Sequence, residues 1–188
     1  MNNFKYVLKI ALPLLAVCIV TVAVLASVNA LTAPVIAENR QNELNGNMTG
    51  FFGEGIETTT VDGLSFDSAV KKAYCVRKDG QTVGYCFDVT GSGAYKGKIE
   101  VLVAIDSAGS IVGVSNVQNG ETPSIGGQVL KKDYIEANYV GHTKTQLEKD
   151  RDVTYLSGAT RTSTALNNAV RNAFAAFEII QNEKEAAV

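Results

Sequence analysis

The chain has no Trp, one His, three Pro and three Cys in 188 residues. A single His excludes a metal site built from several imidazoles. A Ser-His-Asp triad would have to use His142, which has no acid–base partner near it in the sequence. Cys18 falls inside an apolar run and offers no convincing lipid-attachment site, so Cys75 and Cys86 remain. Two thiolates are too few to hold an iron–sulfur cluster on this chain alone. No excess of one charge exists either: 17 Lys+Arg against 19 Asp+Glu give a formal −2. With no basic patch and no interleaved aromatics, nothing points to nucleic acid. Neither a Gly-Lys-Ser/Thr phosphate loop nor a Gly-x-Ser-x-Gly elbow is present.

What is present begins with an uncharged run. From Ile10 to Val28 no charged residue occurs, close to the roughly 20 residues that span a bilayer as a helix. Pro13 lies near its start, where a helix tolerates it. Ala26-Ser27-Val28-Asn29-Ala30 offers the small residues of a signal-peptidase site. The run, however, exceeds the roughly 7–15 residues of a signal h-region, which favours a retained anchor. Lys5 and Lys9 precede it, so the positive-inside rule puts the N-terminus in the cytoplasm and the rest of the chain outside.

Beyond the run, Glu38 to Glu57 is polar with several glycines and predicts a stalk or a short helix running into a loop. Phe51 and Phe52 in it are expected to pack rather than to act. Ala73–Arg77 and Val83–Val89 predict a hairpin turning at Lys78-Asp79-Gly80-Gln81. Pairing Lys78 with Val83 would put Cys75 opposite Cys86, which leaves a disulfide and two buried thiols both open. Gly91 to Gly97 predicts a glycine loop, followed by strands at Ile99–Ile105 and Ile111–Val117 across the turn Asp106–Gly109. Lys144–Lys149 predicts a short helix. Leu166, Val170, Ala173 or Phe174, Phe177 and Ile180 place one apolar stripe on a C-terminal helix. Thr162, Ser163 and Thr164 are its candidate caps, and Gln181–Glu185 is its expected solvated tail.

Between strand-prone Val153–Leu156 and that helix lies Ser157-Gly158-Ala159-Thr160. Small residues leading into a helix N-terminus let free N–H groups and the positive helix end face an anion. The sequence alone fits an ordinary capped turn equally well. Gly120-Glu121-Thr122-Pro123-Ser124-Ile125-Gly126 reads as a Pro-ordered turn, with Glu121 and Thr122 offering hydrogen-bonding groups.

These stretches, with Ala94-Tyr95-Lys96-Gly97-Lys98-Ile99 and the exit segment Leu31-Thr32-Ala33-Pro34-Val35-Ile36, resemble one family in order and spacing. It is the G subunit of the Rnf-type ion-translocating ferredoxin:NAD oxidoreductase, related to the C subunit of the sodium-translocating NADH:quinone reductase. Three positions depart from the family's pattern: Thr154 stands where an Asp is usual, Ser124 where a Gly is usual, and Gly120 replaces the His that often precedes the Glu. The resemblance implies FMN joined to Thr160 by a phosphodiester, made by a separate flavin transferase from FAD. It also implies that Ser157, Gly158 and Ala159 form the recognition turn, and that Thr162, Glu121, Thr122 and Tyr95 border the flavin. For Tyr95 a plain core or surface role stays open.

The expected fold is α+β: one transmembrane helix, then an extracytoplasmic FMN-binding domain with an antiparallel sheet and flanking helices. The expected layout is a cytoplasmic N-terminus at 1–9, a membrane helix at 10–31, a stalk at 32–60, the FMN domain at 61–182 and a tail at 183–188. The implied function is electron transfer within the Rnf complex in the cell (inner) membrane, alongside its other subunits, with no turnover by this subunit alone. A stand-alone flavin carrier and a non-redox envelope domain are the alternatives.

Overall fold

The computed structural model describes residues 2–148 and 153–186. Lys149, the last residue of the helix expected at Lys144–Lys149, lies outside the described residues, as do Asp152, 187 and 188. The chain divides into two compact units, Met1–Asn42 and Glu43–Val188.

The first unit is the greater part of α1 (Asn2–Phe52), which continues across Pro13 and Pro34. Its large apolar side chains from Val7 to Ile36 are exposed. Its hydroxyls do not need water: Thr21, Ser27 and Thr32 each donate to the carbonyl one turn back, at 2.7, 2.7 and 2.9 Å. A helix whose polar groups are satisfied internally and whose surface is apolar suits a bilayer. α1 is long and apolar enough to cross one, and serves as a single-pass anchor.

In the second unit, five strands among the described residues form one antiparallel meander: β1 (Ile56–Thr60), β2 (Val70–Lys78), β3 (Gln81–Ala94), β4 (Gly97–Asp106) and β5 (Ile111–Gln118). Then come a 3-10 turn at Gly126–Leu130, α2 (Lys132–Asn138), α3 (Lys144–Glu148) and α4 (Thr160–Ala186). The α4 stripe of Leu166, Val170, Ala173, Phe174, Phe177 and Ile180 is buried against Phe87, Val89, Val101 and Val103 on one sheet face. The other face carries a smaller core in which Leu44 and Met48, from the last turns of α1, meet Tyr74, Val76, Cys86 and Leu102.

Several expectations are corrected. The polar stretch expected as a stalk is helical to Phe52, because Leu44, Met48, Phe51 and Phe52 recur at helical spacing and find an apolar sheet face. The glycine loop is strand: β3 runs through Gly91 and Gly93 to Ala94, and the chain turns only at Tyr95-Lys96. Gly91 is there for space, since a Cβ would lie 2.2 Å from the Ala165 carbonyl oxygen of α4. The expected tail is also helical to Ala186, with Lys184 Nζ 5.0 Å from the centre of the Tyr85 ring.

The cysteine register is off by one. Asp79 (φ 51°) and Gly80 (φ 78°) make a two-residue turn that pairs Lys78 with Gln81. An irregularity between Val76 and Arg77 then sets Cys75 opposite Tyr85 and Cys86 opposite Tyr74. A one-residue slip sends a side chain to the other face. Cys75 packs towards the α4 core and Cys86 sits in the α1 core, both as free thiols. Burial pushes the Cys86 thiol far above its ordinary range.

Candidate functional site

The head of α4 is built by a type II turn. Ala159 N–H donates to the Leu156 carbonyl at 2.9 Å, and Gly158 takes φ +81°, a value only glycine adopts without strain. Ser163 N–H to the Ala159 carbonyl, 3.0 Å, is the first helical bond. The N–H groups of Thr160, Arg161 and Thr162 therefore precede the helical ladder. α4 begins earlier than the three candidate caps implied. None of them is the cap: Ser163 Oγ accepts from Leu156 N–H at 3.3 Å and donates to the Ala159 carbonyl at 3.2 Å. The Thr160 side chain is exposed in the first turn.

The turn faces a cleft of about 610 Å³, lined by Tyr95, Glu121, Thr122, Ile125, Gly126, Gly158, Ala159, Thr160, Arg161 and Thr162. That size is within the roughly 300–1,000 Å³ of small-molecule sites. Seven of the eight residues singled out in the sequence meet there. Ser157 does not line it and is exposed on the turn.

Glu121 ties the cleft together. Its carboxylate is only 8% exposed. Oε1 accepts from Lys96 N–H at 2.7 Å, and Oε2 accepts from the Thr162 hydroxyl at 2.8 Å. One side chain thus fastens the β3–β4 tip to the head of α4. Thr122 contributes its carbonyl to its own loop, accepting from Ile125 N–H and Gly127 N–H at 3.0 Å each.

Three cleft residues, Arg161, Ile125 and Gly126, were missed. Arg161 follows the motif directly and adds a cation beside the helix head. Ile125, 53% exposed, joins Tyr95, 72% exposed; both are unusual in this unit, where large apolar side chains are otherwise mostly covered. Gly126 leaves no room for a side chain: a Cβ would lie 2.0 Å from Glu121 Oε2. The adjacent Gly126-Gly127 pair was its only sequence signal. Behind the turn, Tyr134 OH donates to the Thr154 carbonyl at 2.6 Å. Burial raises Tyr134 above the ordinary phenol range, with the Ser163 hydrogen bond opposing and the Tyr155 phenol adding to it.

A family model described as "FMN-binding domain" matches residues 94–175, from the β3–β4 tip to the middle of α4, and one described as "RnfG N-terminal region" matches residues 1–48. The chain belongs to the RnfG family. Among its curated relatives is the corresponding subunit of the proton-translocating ferredoxin:NAD(+) oxidoreductase complex of Clostridium ljungdahlii, 26% identical over 162 residues and covering 83% of each chain. The corresponding subunit of the Na(+)-translocating ferredoxin:NAD(+) oxidoreductase complex of Acetobacterium woodii is 24% identical over 193 residues, covering 89% of this chain and 90% of the other. A shorter match, 32% over 63 residues, reaches the same component of the ion-translocating oxidoreductase complex of Haemophilus influenzae strain Rd and spans 30% of that protein.

The cleft fits the FMN of this family on its own features. It has the volume, an apolar pair in Tyr95 and Ile125 for a ring, and a helix head with Arg161 for a phosphate.

Proposed function

We propose that this chain is the flavin-carrying electron-transfer subunit of a membrane-bound ion-translocating ferredoxin:NAD oxidoreductase complex, with FMN attached covalently at Thr160. The carrying observation is the exposed Thr160 side chain at the head of α4, on the rim of a cleft that joins the turn, the Glu121 loop and the β3–β4 tip.

Bound FMN supplies reversible electron transfer at its ring. The chain's part is attachment and orientation. In the attachment step a flavin transferase breaks the pyrophosphate of FAD. The FMN phosphorus gains a P–O bond to Thr160 Oγ1, AMP leaves, and the hydroxyl proton passes to the transferase or solvent. Gly158 and Ala159 let the phosphate come close to the backbone, and the leading N–H groups of α4 with Arg161 balance its charge. Glu121 holds Lys96 and Thr162 so that the cleft keeps its shape. Tyr95 and Ile125 flank the ring.

Lys5 and Lys9 before the apolar run place the N-terminus in the cytoplasm and the flavin domain outside. A tether there keeps the cofactor from diffusing away. The remaining partners are the other subunits of the complex, and turnover belongs to the assembly.

Intact mass after denaturation, on chain expressed with a flavin transferase, tests the attachment. The expected result is a gain equal to FMN minus water, with in-gel flavin fluorescence, both lost in Thr160→Ala. An unmodified wild-type chain, under conditions that load a known acceptor, would overturn it.

A further inference from the structure

Val153 to Leu156, leading into the Ser157-Gly158 turn, have no regular secondary structure. Irregular backbone keeps one conformation only if its N–H and C=O groups find fixed partners. Here the partners are side chains. Thr154 N–H donates to Asn138 Oδ1 at 2.7 Å, and the Thr154 carbonyl accepts from Tyr134 OH at 2.6 Å. Two residues on, Leu156 N–H donates to Ser163 Oγ. The segment is held at alternate residues, as a strand would be by a neighbour, but by α2 and α4 side chains.

The clamp is itself braced. Tyr134 and Asn138 are four apart on α2, so they share a helix side. Asn138 Nδ2 donates to the Tyr134 carbonyl at 2.8 Å, which turns its Oδ1 to Thr154. Asn138 is 6% exposed, and Ile135 between them is buried in the main core. Tyr134 OH also lies 3.5 Å from Ser163 Oγ, linking the clamp to the first turn of α4. The Thr154 side chain, by contrast, is exposed. The segment's path is therefore set by its backbone partners, and the side chains at 154 and 157 stay available to a partner protein.

We propose that Tyr134 and Asn138 are positioning residues for flavin attachment: by gripping both backbone groups of Thr154 they hold the acceptor turn in the conformation that the flavin transferase binds. This rests on the reading of Thr160 as acceptor. Neither side chain touches the reacting atoms. A loosened segment must be ordered at each encounter, which weakens binding of the chain to the transferase. Bond making and breaking on the docked chain are unaffected. The signature is a change in KM with kcat preserved.

The test uses the full-length chain, purified in detergent without flavin, with a flavin transferase, FAD and Mg²⁺. Initial rates of covalent FMN incorporation are measured against chain concentration for wild type, Tyr134→Phe, Asn138→Ala and Thr160→Ala. The expected result is a KM raised about tenfold in each clamp variant, the equivalent of losing one good hydrogen bond, with kcat within about twofold. Amide exchange on the flavin-free chain should show the Thr154 N–H protected in wild type and fast in Asn138→Ala. If Asn138→Ala fails to fold, the isosteric Tyr134→Phe decides. Wild-type KM in Tyr134→Phe, or a fall confined to kcat, overturns the proposal while leaving Thr160 as acceptor. An unmodified wild-type chain overturns both readings.

Discussion

At the residue scale the cleft is shaped by groups that do no chemistry. Glu121 is a buried carboxylate with two donors on it, the Lys96 N–H and the Thr162 hydroxyl. Gly126 is the space that the carboxylate occupies. Gly126→Ala would push a methyl group to within 2.0 Å of Glu121 Oε2 and force the loop or the carboxylate aside. Overpacking of this kind costs about 1–3 kcal/mol. Denaturant titration of the flavin-free chain should show a loss of that size. Because Glu121 also fixes the cleft walls, flavin loading should fall as well. Unchanged stability and loading would show that the Glu121 tie is dispensable. Gly158, with its positive φ, is the other glycine the site requires.

At the element scale, the end of α1 is seated on the sheet by rings in glycine notches. A Cβ on Gly113 would lie 2.3 Å from the Phe51 ring, and one on Gly84 would lie 2.7 Å from the Phe52 ring. Helix and sheet approach this closely only because β5 and β3 carry no side chain at those points. Gly113→Ala should destabilise the domain by about 1–3 kcal/mol, read from its denaturation midpoint. Phe51→Ala on the same background removes the clash. The double variant should therefore lose clearly less than the sum of the single losses. Additive losses would mean that ring and notch do not touch in solution.

At the scale of the whole molecule, the membrane anchor and the sheet's second core share one helix. The unit boundary falls at Glu43, well before the helix ends at Phe52. A fragment starting at Glu43 keeps Leu44, Met48, Phe51 and Phe52 on the sheet. One starting at Gly53 loses all four. At roughly 1.5–3 kcal/mol for each large apolar side chain buried, that is about 6 kcal/mol or more. A loss of that size rivals the roughly 5–15 kcal/mol that holds a typical domain. The longer fragment should unfold cooperatively on heating, and the shorter one should aggregate or show no cooperative transition. Equal melting of the two would sink this assignment.

The sequence by itself determined whatever depends on neighbours along the chain. The uncharged run from Ile10 to Val28, the alternating strands, the α4 stripe from Leu166 to Ile180 and the Ser157–Thr160 turn are local patterns of polarity, period and backbone freedom. The grouping of Thr160 with Glu121, Thr122 and Tyr95 was legible only because their stretches resemble one family in order. Tertiary structure decided the rest, because it turned on contacts far apart in sequence. The cysteine register hung on a two-residue turn and an irregularity that local propensity does not encode. The polar stretch after the membrane became helix because its four apolar residues had a sheet face to cover. Gly91 and Gly126 looked like loop glycines, but are there because another segment comes too close for a side chain. Tyr134 and Asn138 reach Thr154 from 20 and 16 residues away, a separation that no motif spans and only the packing of α2 against the head of α4 closes.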